Sequence, residues 1–284
     1  MKVAVRGAEL FFDVDGAGVA PAGPWMRARP TVLLLPTSPG IDHSLYKMHI
    51  GPALAEVAQV IYLDPRGSGR SDWGSPEDWT LETWVDDLGA FCDALELQRP
   101  VLLGTAVGAV IALKYAAARP ERVERLVLVS AAARHIHTRS IAVFDRIGGP
   151  ESGEVAARYF ADPTEANFGE FMRVCVPLYT RNPIAPDAVA RIEMNLALTA
   201  HWERTSARLY DVRPEAAHVA CPTLVLAGDD DPATTVAGTD ELVASLPTGL
   251  VRYERYAETG HGIFPDRPEA IDLVREFVLP PEPA

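Results

Sequence analysis

The chain has 284 residues, 48% of them hydrophobic and 23% charged, with a formal net charge of −13. That length holds one large α/β domain with an inserted subdomain, and the composition buries a sizeable core while staying soluble. The acidic balance excludes nucleic acid and anionic membrane as partners, because both would repel it.

At the N-terminus, "MKVAVRGAELFFDVDG" alternates apolar and polar residues around Val3–Val5 and Leu10–Val14, with Asp15-Gly16 as a turn signal. This predicts an antiparallel start to a sheet. The segments "TVLLLP", "VIYLDP", "PVLLG", "RLVLVSA" and "PTLVLAG" follow, each a short continuous apolar run. Such runs are typical of strands buried on both faces of a parallel sheet. Between them, Thr80–Leu97 sets Leu81, Trp84, Val85, Leu88, Cys92 and Leu95 on one helical face, with Thr80 as the N-cap. Ala106–Ala118, nearly all small or apolar, predicts a helix packed under the sheet, and Asp240–Leu246 and Pro268–Val278 supply the last two helices.

The alternation breaks between Arg134 and Ala216, where "SGEVAARYFA" and "APDAVARIEMNLALTAHW" are helical and no strand pattern intervenes. The expected fold is a mostly parallel, doubly wound α/β sheet: residues 1–133 and 217–284 form the core, and 134–216 a helical cap. A cap there covers the carboxyl ends of the strands, where open α/β sheets hold their ligands. No stretch approaches the apolar length of a membrane span. Cys92, Cys175 and Cys221 are odd in number and far apart, which suggests reduced, buried thiols and a cytoplasmic location.

Three features sit at strand ends in the order nucleophile site, acid, histidine. Ala106 follows "VLLGT", Asp231 follows "PTLVLAGDD", and His261 lies in "ETGHGIF". Acyl transfer needs a hydroxyl activated by an imidazole, and a carboxylate that fixes the imidazole's tautomer. A parallel sheet delivers all three to one edge. The surrounding Gly-Thr-Ala-Val-Gly has the form of Gly-x-Ser-x-Gly, the turn that exposes a nucleophilic serine, but with alanine at its apex. His135 and His137 form His-x-His without a suitably spaced third ligand, so neither a metal nor an organic cofactor is expected.

These blocks resemble the α/β-hydrolase fold, and within it the proline iminopeptidase-like group. "LLLPTSPGIDHSLY" resembles that group's His-Gly-Gly-Pro-Gly segment, and "VIYLDPRGSGRSD" its D-x-R-G-x-G-R-S loop. "CPTLVLAGDDDPATT" and "ETGHGIFPDRPE" match its acid and histidine loops. The resemblance implies His261 as general base and Asp231, at the G-x-x-D-P spacing from Gly228 to Pro232, as its orienting acid rather than Asp229 or Asp230. It implies an oxyanion hole from the N–H of Val107 and of Ser38, with Thr37 as the alternative; here Pro36-Thr37-Ser38 departs from the usual His-Gly-Gly. Gly67 and Gly69 are expected to make tight turns, and Arg66 and Arg70 to pair with Asp64 or Asp72. His43, Trp202, Tyr159 and Glu203 are candidate substrate contacts, and Glu154, Glu170, Glu193 and Glu203 candidate anchors for a substrate amine.

Three explanations fit alanine at the apex: an inactivated Ser-to-Ala variant, a natural member that binds or transforms a small molecule without hydrolysis, or replacement of the serine by Thr105. A residue before the apex points elsewhere, which removes Thr105. The retained Asp231, His261, Gly104 and Gly108 favour the first explanation. The expected activity is hydrolysis of a small-molecule ester or amide through a serine acyl-enzyme, nearly silent in this chain, with a lactonase or carbon–carbon bond hydrolase as a further alternative. The partner is a small molecule, and a homo-oligomer is compatible with the sequence.

Overall fold

The computed structural model describes residues 1–36, 39–182, 184–205 and 210–279. The apolar runs form β5 (Thr31–Leu35), β6 (Gln59–Leu63), β7 (Val101–Thr105), β8 (Arg125–Val129) and β9 (Thr223–Gly228), nearly every residue of them buried. Together with β1 (Lys2–Val5), β2 (Ala8–Asp15) and β10 (Val251–Tyr256) they build an eight-stranded sheet in the order β1-β2-β6-β5-β7-β8-β9-β10. From β6 to β10 the pairs are parallel; β1 and β2 join antiparallel at one edge.

The two-residue period of each strand divides the core between the two faces. Leu33, Leu35, Leu102, Leu126 and Leu128 face one side, with the helices Leu81–Ala94 and Val107–Ala118. Val32, Leu34, Leu103, Val127 and Leu226 face the other, with the helix Ala270–Val278. This two-sided covering is why the central strands have no polar alternation. Thr80 caps its helix as expected, its hydroxyl accepting from the Thr83 N–H at 3.1 Å.

Between β8 and β9 the chain forms a helical insertion. Its helices His137–Gly148, Pro150–Ala161 and Glu165–Val174 close on a separate core of Phe144, Val155, Tyr159, Phe160, Phe171 and Cys175. Arg134 and Arg139 tie its start to Glu241 at 3.0 and 2.6 Å, and hold that carboxyl down to about 2. All three cysteines are buried and unpaired. Among the described residues, no helix is long and apolar enough to cross a membrane.

Two local expectations needed revision. The hairpin of β3 (Val19–Ala22) and β4 (Trp25–Ala28) has no counterpart in the sequence pattern. Neither strand buries a face, so there is no alternation to detect; Trp25 is 76% exposed. The helical pattern from Ala185 to Trp202 is split into Pro186–Val189 and Leu196–Arg204. Tertiary contacts override the helical periodicity here: Met194 bridges to Ile41, and the buried Asn195 amide donates to the Gly67 carbonyl at 3.0 Å.

A close backbone approach in this framework joins β7 to the helix after it. A Cβ on Gly104 would stand 2.3 Å from the Gly108 carbonyl oxygen, and one on Gly108 would stand 2.4 Å from the Pro36 oxygen. Since both obstacles are backbone, neither yields cheaply. Gly104→Ala is expected to cost at least ~1–3 kcal/mol of stability, as overpacking does. Urea unfolding checks this; an unchanged midpoint would contradict the packing described.

Candidate active site

At Ala106 the chain leaves β7 and enters the helix Val107–Ala118 through φ 48° and ψ −113°. A non-glycine residue with such angles carries strain of about 1–3 kcal/mol and persists only where its surroundings impose it. The surroundings here are the glycine contacts below and a bond from the Ala106 N–H to the Val129 carbonyl at 3.0 Å. The Val107 N–H opens a twelve-residue helix, so it is one of the donors a helix start leaves without an intrahelical acceptor, on the positive end of the dipole. Thr105 is buried in β7. Ser38 and Thr37 lie outside the described residues.

Beyond β9, Asp231 is 3% exposed and its Oδ2 lies 2.9 Å from His261 Nδ1. The same carboxylate accepts from the Ala233 N–H (2.7 Å), the Thr234 N–H (2.9 Å) and the Thr234 hydroxyl (2.7 Å). Burial pushes the Asp231 carboxyl up, but the imidazole and these donors outweigh it and hold it below its ordinary value. Its neighbours have other work. Asp229 pairs with Arg255 at 2.9 Å, and Asp230 accepts from Arg146 and Arg181 at 2.5 Å each.

The histidine loop is gripped from several sides by residues that the sequence pattern did not single out. Ser130, itself at φ 46° and fully buried, donates to the His261 carbonyl at 2.8 Å. Tyr179 of the insertion packs edge-on against the imidazole, with ring centres 5.5 Å apart, and its carbonyl accepts from the Gly262 N–H at 3.0 Å. Burial first, then the charges of Glu203 and Asp231, push the Tyr179 phenol well above its usual value, so it stays a neutral hydroxyl.

The other end of the insertion is stitched to the loop after β5. The Asn195 N–H donates to the Gly40 carbonyl at 2.8 Å, the Thr199 hydroxyl to the Pro39 carbonyl at 3.1 Å, and the Gly40 N–H to Ser68 Oγ at 2.9 Å. Gly67 and Gly69 do adopt positive φ, at 85° and 50°. Their flanking arginines pair differently from expectation: Arg66 reaches Asp87 at 2.7 Å, and Arg70 reaches Asp42. The reason is that Asp64 is already committed inward, accepting from the His43 N–H at 3.0 Å and lying 2.8 Å from its Nδ1.

His43 is therefore a packed element of the wall, 4% exposed and stacked between Phe11 and Tyr62, and not the pocket-facing side chain expected. Trp202 packs on Trp84 in the main core, and Tyr159 among the phenylalanines of the insertion, both about 5% exposed. Of the candidate glutamates, Glu154 and Glu193 are exposed and Glu170 pairs with Arg158 at 2.8 Å. Glu203 is half-buried, and its charge acts on both Tyr159 and Tyr179.

A cavity of about 10 Å³ adjoins the start of the elbow helix, lined by Pro36, Pro39, Ser68, Trp84, Val107 and Gly108. A larger groove of about 390 Å³ opens at the amino ends of β5, β7 and β8, the edge opposite Asp231 and His261. Its size does not make it the site, because the chemistry-bearing groups lie at the carboxyl edge. Among the described residues, no group of three or more His, Cys, Asp or Glu is placed to hold a metal ion.

Comparison with known proteins agrees with this architecture. The family model for the alpha/beta hydrolase fold matches residues 30–268, and the chain belongs to that family. It is 29% identical over 234 residues to a protein of Klebsiella pneumoniae (strain 342) whose name provisionally assigns it carbamate hydrolysis, covering 81% of this chain and 83% of that one. The structure resembles a proline iminopeptidase of Mycobacterium smegmatis, with TM-score 0.75, 22% identity, and coverage of 98% and 97%. It also resembles the enol-lactonase of Burkholderia xenovorans LB400, with TM-score 0.65, 24% identity, and coverage of 98% for both chains.

A carboxyl held below its ordinary value stabilises the fold above that value, and the contribution is lost as pH falls through the lowered one. The stability difference between this chain and Asp231→Asn should therefore narrow as pH drops below the ordinary 3.8. Urea unfolding across pH 3 to 7 measures it. A difference that stays constant would show that the Asp231 charge is not stabilised as described.

Proposed function

We propose that this member of the alpha/beta hydrolase family is a serine hydrolase framework for small esters or amides, silenced by the alanine at position 106. The observation that carries this reading is the strained backbone of Ala106, φ 48° and ψ −113°, in a chain that also keeps the buried Asp231–His261 pair. Alanine gains nothing from such angles. A serine gains an exposed, rigidly aimed hydroxyl, which is what strain at a functional site is for. A natural serine-less member is the alternative, and it leaves the buried acid–imidazole pair without a use.

With serine at 106, the hydroxyl attacks the acyl carbonyl while His261 Nε2 takes its proton. Asp231 keeps the other nitrogen protonated and steadies the cation that forms. The Val107 N–H receives the developing oxyanion. His261 then protonates the leaving group, and water, deprotonated by the same imidazole, releases the acid. No metal or organic cofactor enters any step. The helical insertion acts as the cap over this site, and three buried, unpaired cysteines suit a reducing, cytoplasmic setting.

One feature favours an acyl group bearing an amine. Glu203 is half-buried, and after burial its charge is among those that raise the phenol of Tyr179, the residue packed on His261. A half-buried carboxylate whose charge reaches the ring packed on the base is the candidate for holding a free ammonium while the acyl carbon is attacked. Lactone and carbon–carbon bond cleavage use the same acid–base pair and require no such anchor.

Ala106→Ser is expected to raise turnover of p-nitrophenyl esters by about 10⁶-fold, the usual loss when a triad nucleophile is removed. If the serine form is folded and cleaves neither esters nor aminoacyl anilides, the proposal fails. In the serine form, Glu203→Gln should weaken proline or alanine anilides at least ~10-fold in kcat/KM while sparing simple esters, as loss of a charged contact does. Equal effects on both substrate classes would remove the ammonium anchor.

A further inference from the structure

Asp266 ends the short helix Ile263–Asp266 after His261, and its carboxylate collects donors from two separate parts of the chain. Oδ1 accepts from the Thr180 hydroxyl (2.5 Å), the Arg181 N–H (2.8 Å) and the Asn182 N–H (3.1 Å), all in the insertion. Oδ2 accepts from the Gly260 N–H at 3.0 Å, one residue before His261. The Asn182 amide adds a bond to the Pro265 carbonyl at 2.9 Å. The segment that Asp266 grips directly follows Tyr179, whose ring lies on the imidazole and whose carbonyl holds Gly262. Gly260 has no room for a side chain there, since a Cβ would stand 2.4 Å from the Tyr179 oxygen.

We infer that Asp266 is a positioning residue for His261, and that through it the histidine is held in register only while the insertion is seated. It touches neither substrate nor reacting atoms. A single carboxylate fixes the backbone on one side of the imidazole and the insertion segment that covers it, so movement of Thr180–Asn182 displaces both. The insertion is thereby more than a cover. Loosening it loosens the base. The inference builds on the proposed role of His261 as a base, but its structural part concerns the His261–Asp231 contact and is testable in the chain as it stands.

In this chain, the proton shared between His261 Nδ1 and Asp231 gives a downfield resonance that reports the register of the ring. Asp266→Ala should shift or broaden it, and Thr180→Ala, which removes one insertion contact and leaves the Gly260 bond, should do so to a smaller extent. In the Ala106→Ser background, Asp266→Ala should lower kcat on the order of 10- to 100-fold, as small misplacements of catalytic groups do, with KM changed less than about twofold. A merely structural anchor would lower the melting temperature and leave the resonance and kcat alone; that result overturns the inference. Should Asp266→Ala not fold, an unmoved resonance in folded Thr180→Ala overturns it equally. If Ala106→Ser hydrolyses nothing, the functional proposal fails, while the resonance still decides the role of Asp266.

Discussion

The structure turns on a contact between two stretches of main chain that leave no space for a methyl group. At Gly104 the end of β7 lies against the Gly108 carbonyl, and Gly108 in turn lies against Pro36 at the end of β5. Because β5 and β7 are neighbours in register, this contact fixes where the helix after Ala106 must begin. The backbone at Ala106 has to reverse within one residue, which forces φ to 48°. Strain in that residue is thus imposed from below by packing and does not depend on the side chain it carries. That is why an alanine can occupy the position without relaxing it.

From that fixed point the rest of the site is arranged by loops at the same edge of the sheet. Parallel strands bring the ends of β7, β8 and β9 together, so Ala106, Ser130 and Asp231 approach one another from distant parts of the sequence. The histidine loop has little regular structure of its own around His261, and depends on Ser130, Asp231, Asp266 and Tyr179 for its register. Two loops at this edge are also bonded to the helical insertion, the one after β5 at Gly40 through Asn195 and the one after β10 at Gly262 through Tyr179. The loops of the sheet and the helical insertion therefore constrain the same few backbone groups.

How much of this was legible beforehand follows from the kind of signal each feature leaves. Continuous apolar runs such as Leu33–Leu35 and Leu102–Leu103 announce a sheet covered on both faces, since only complete burial tolerates them. Asp231 was legible because it sits just after such a run, and His261 because it lies between glycines in the loop after the last strand. The hairpin from Val19 to Ala28 left no trace, because it is exposed on both faces and so carries no burial pattern. His43 misled in the opposite direction. Its place in a loop beside the site suggested contact with substrate, yet Asp64, Phe11 and Tyr62 enclose it. Tyr179, Ser130 and Asp266 escaped notice for a common reason: each acts by gripping backbone across a long sequence separation, and such contacts impose no local periodicity.

On the proposed reading, the site around position 106 is preformed and lacks only a hydroxyl. Intact-mass analysis of the Ala106→Ser protein after treatment with a fluorophosphonate tests it most directly, because phosphonylation needs an activated serine and no particular substrate. A single adduct per chain, located at residue 106 and absent from the alanine form, is the predicted result. A folded serine form that stays unmodified would contradict the claim, since an elbow, an imidazole and a buried carboxylate would then be present without the reactivity they are said to create.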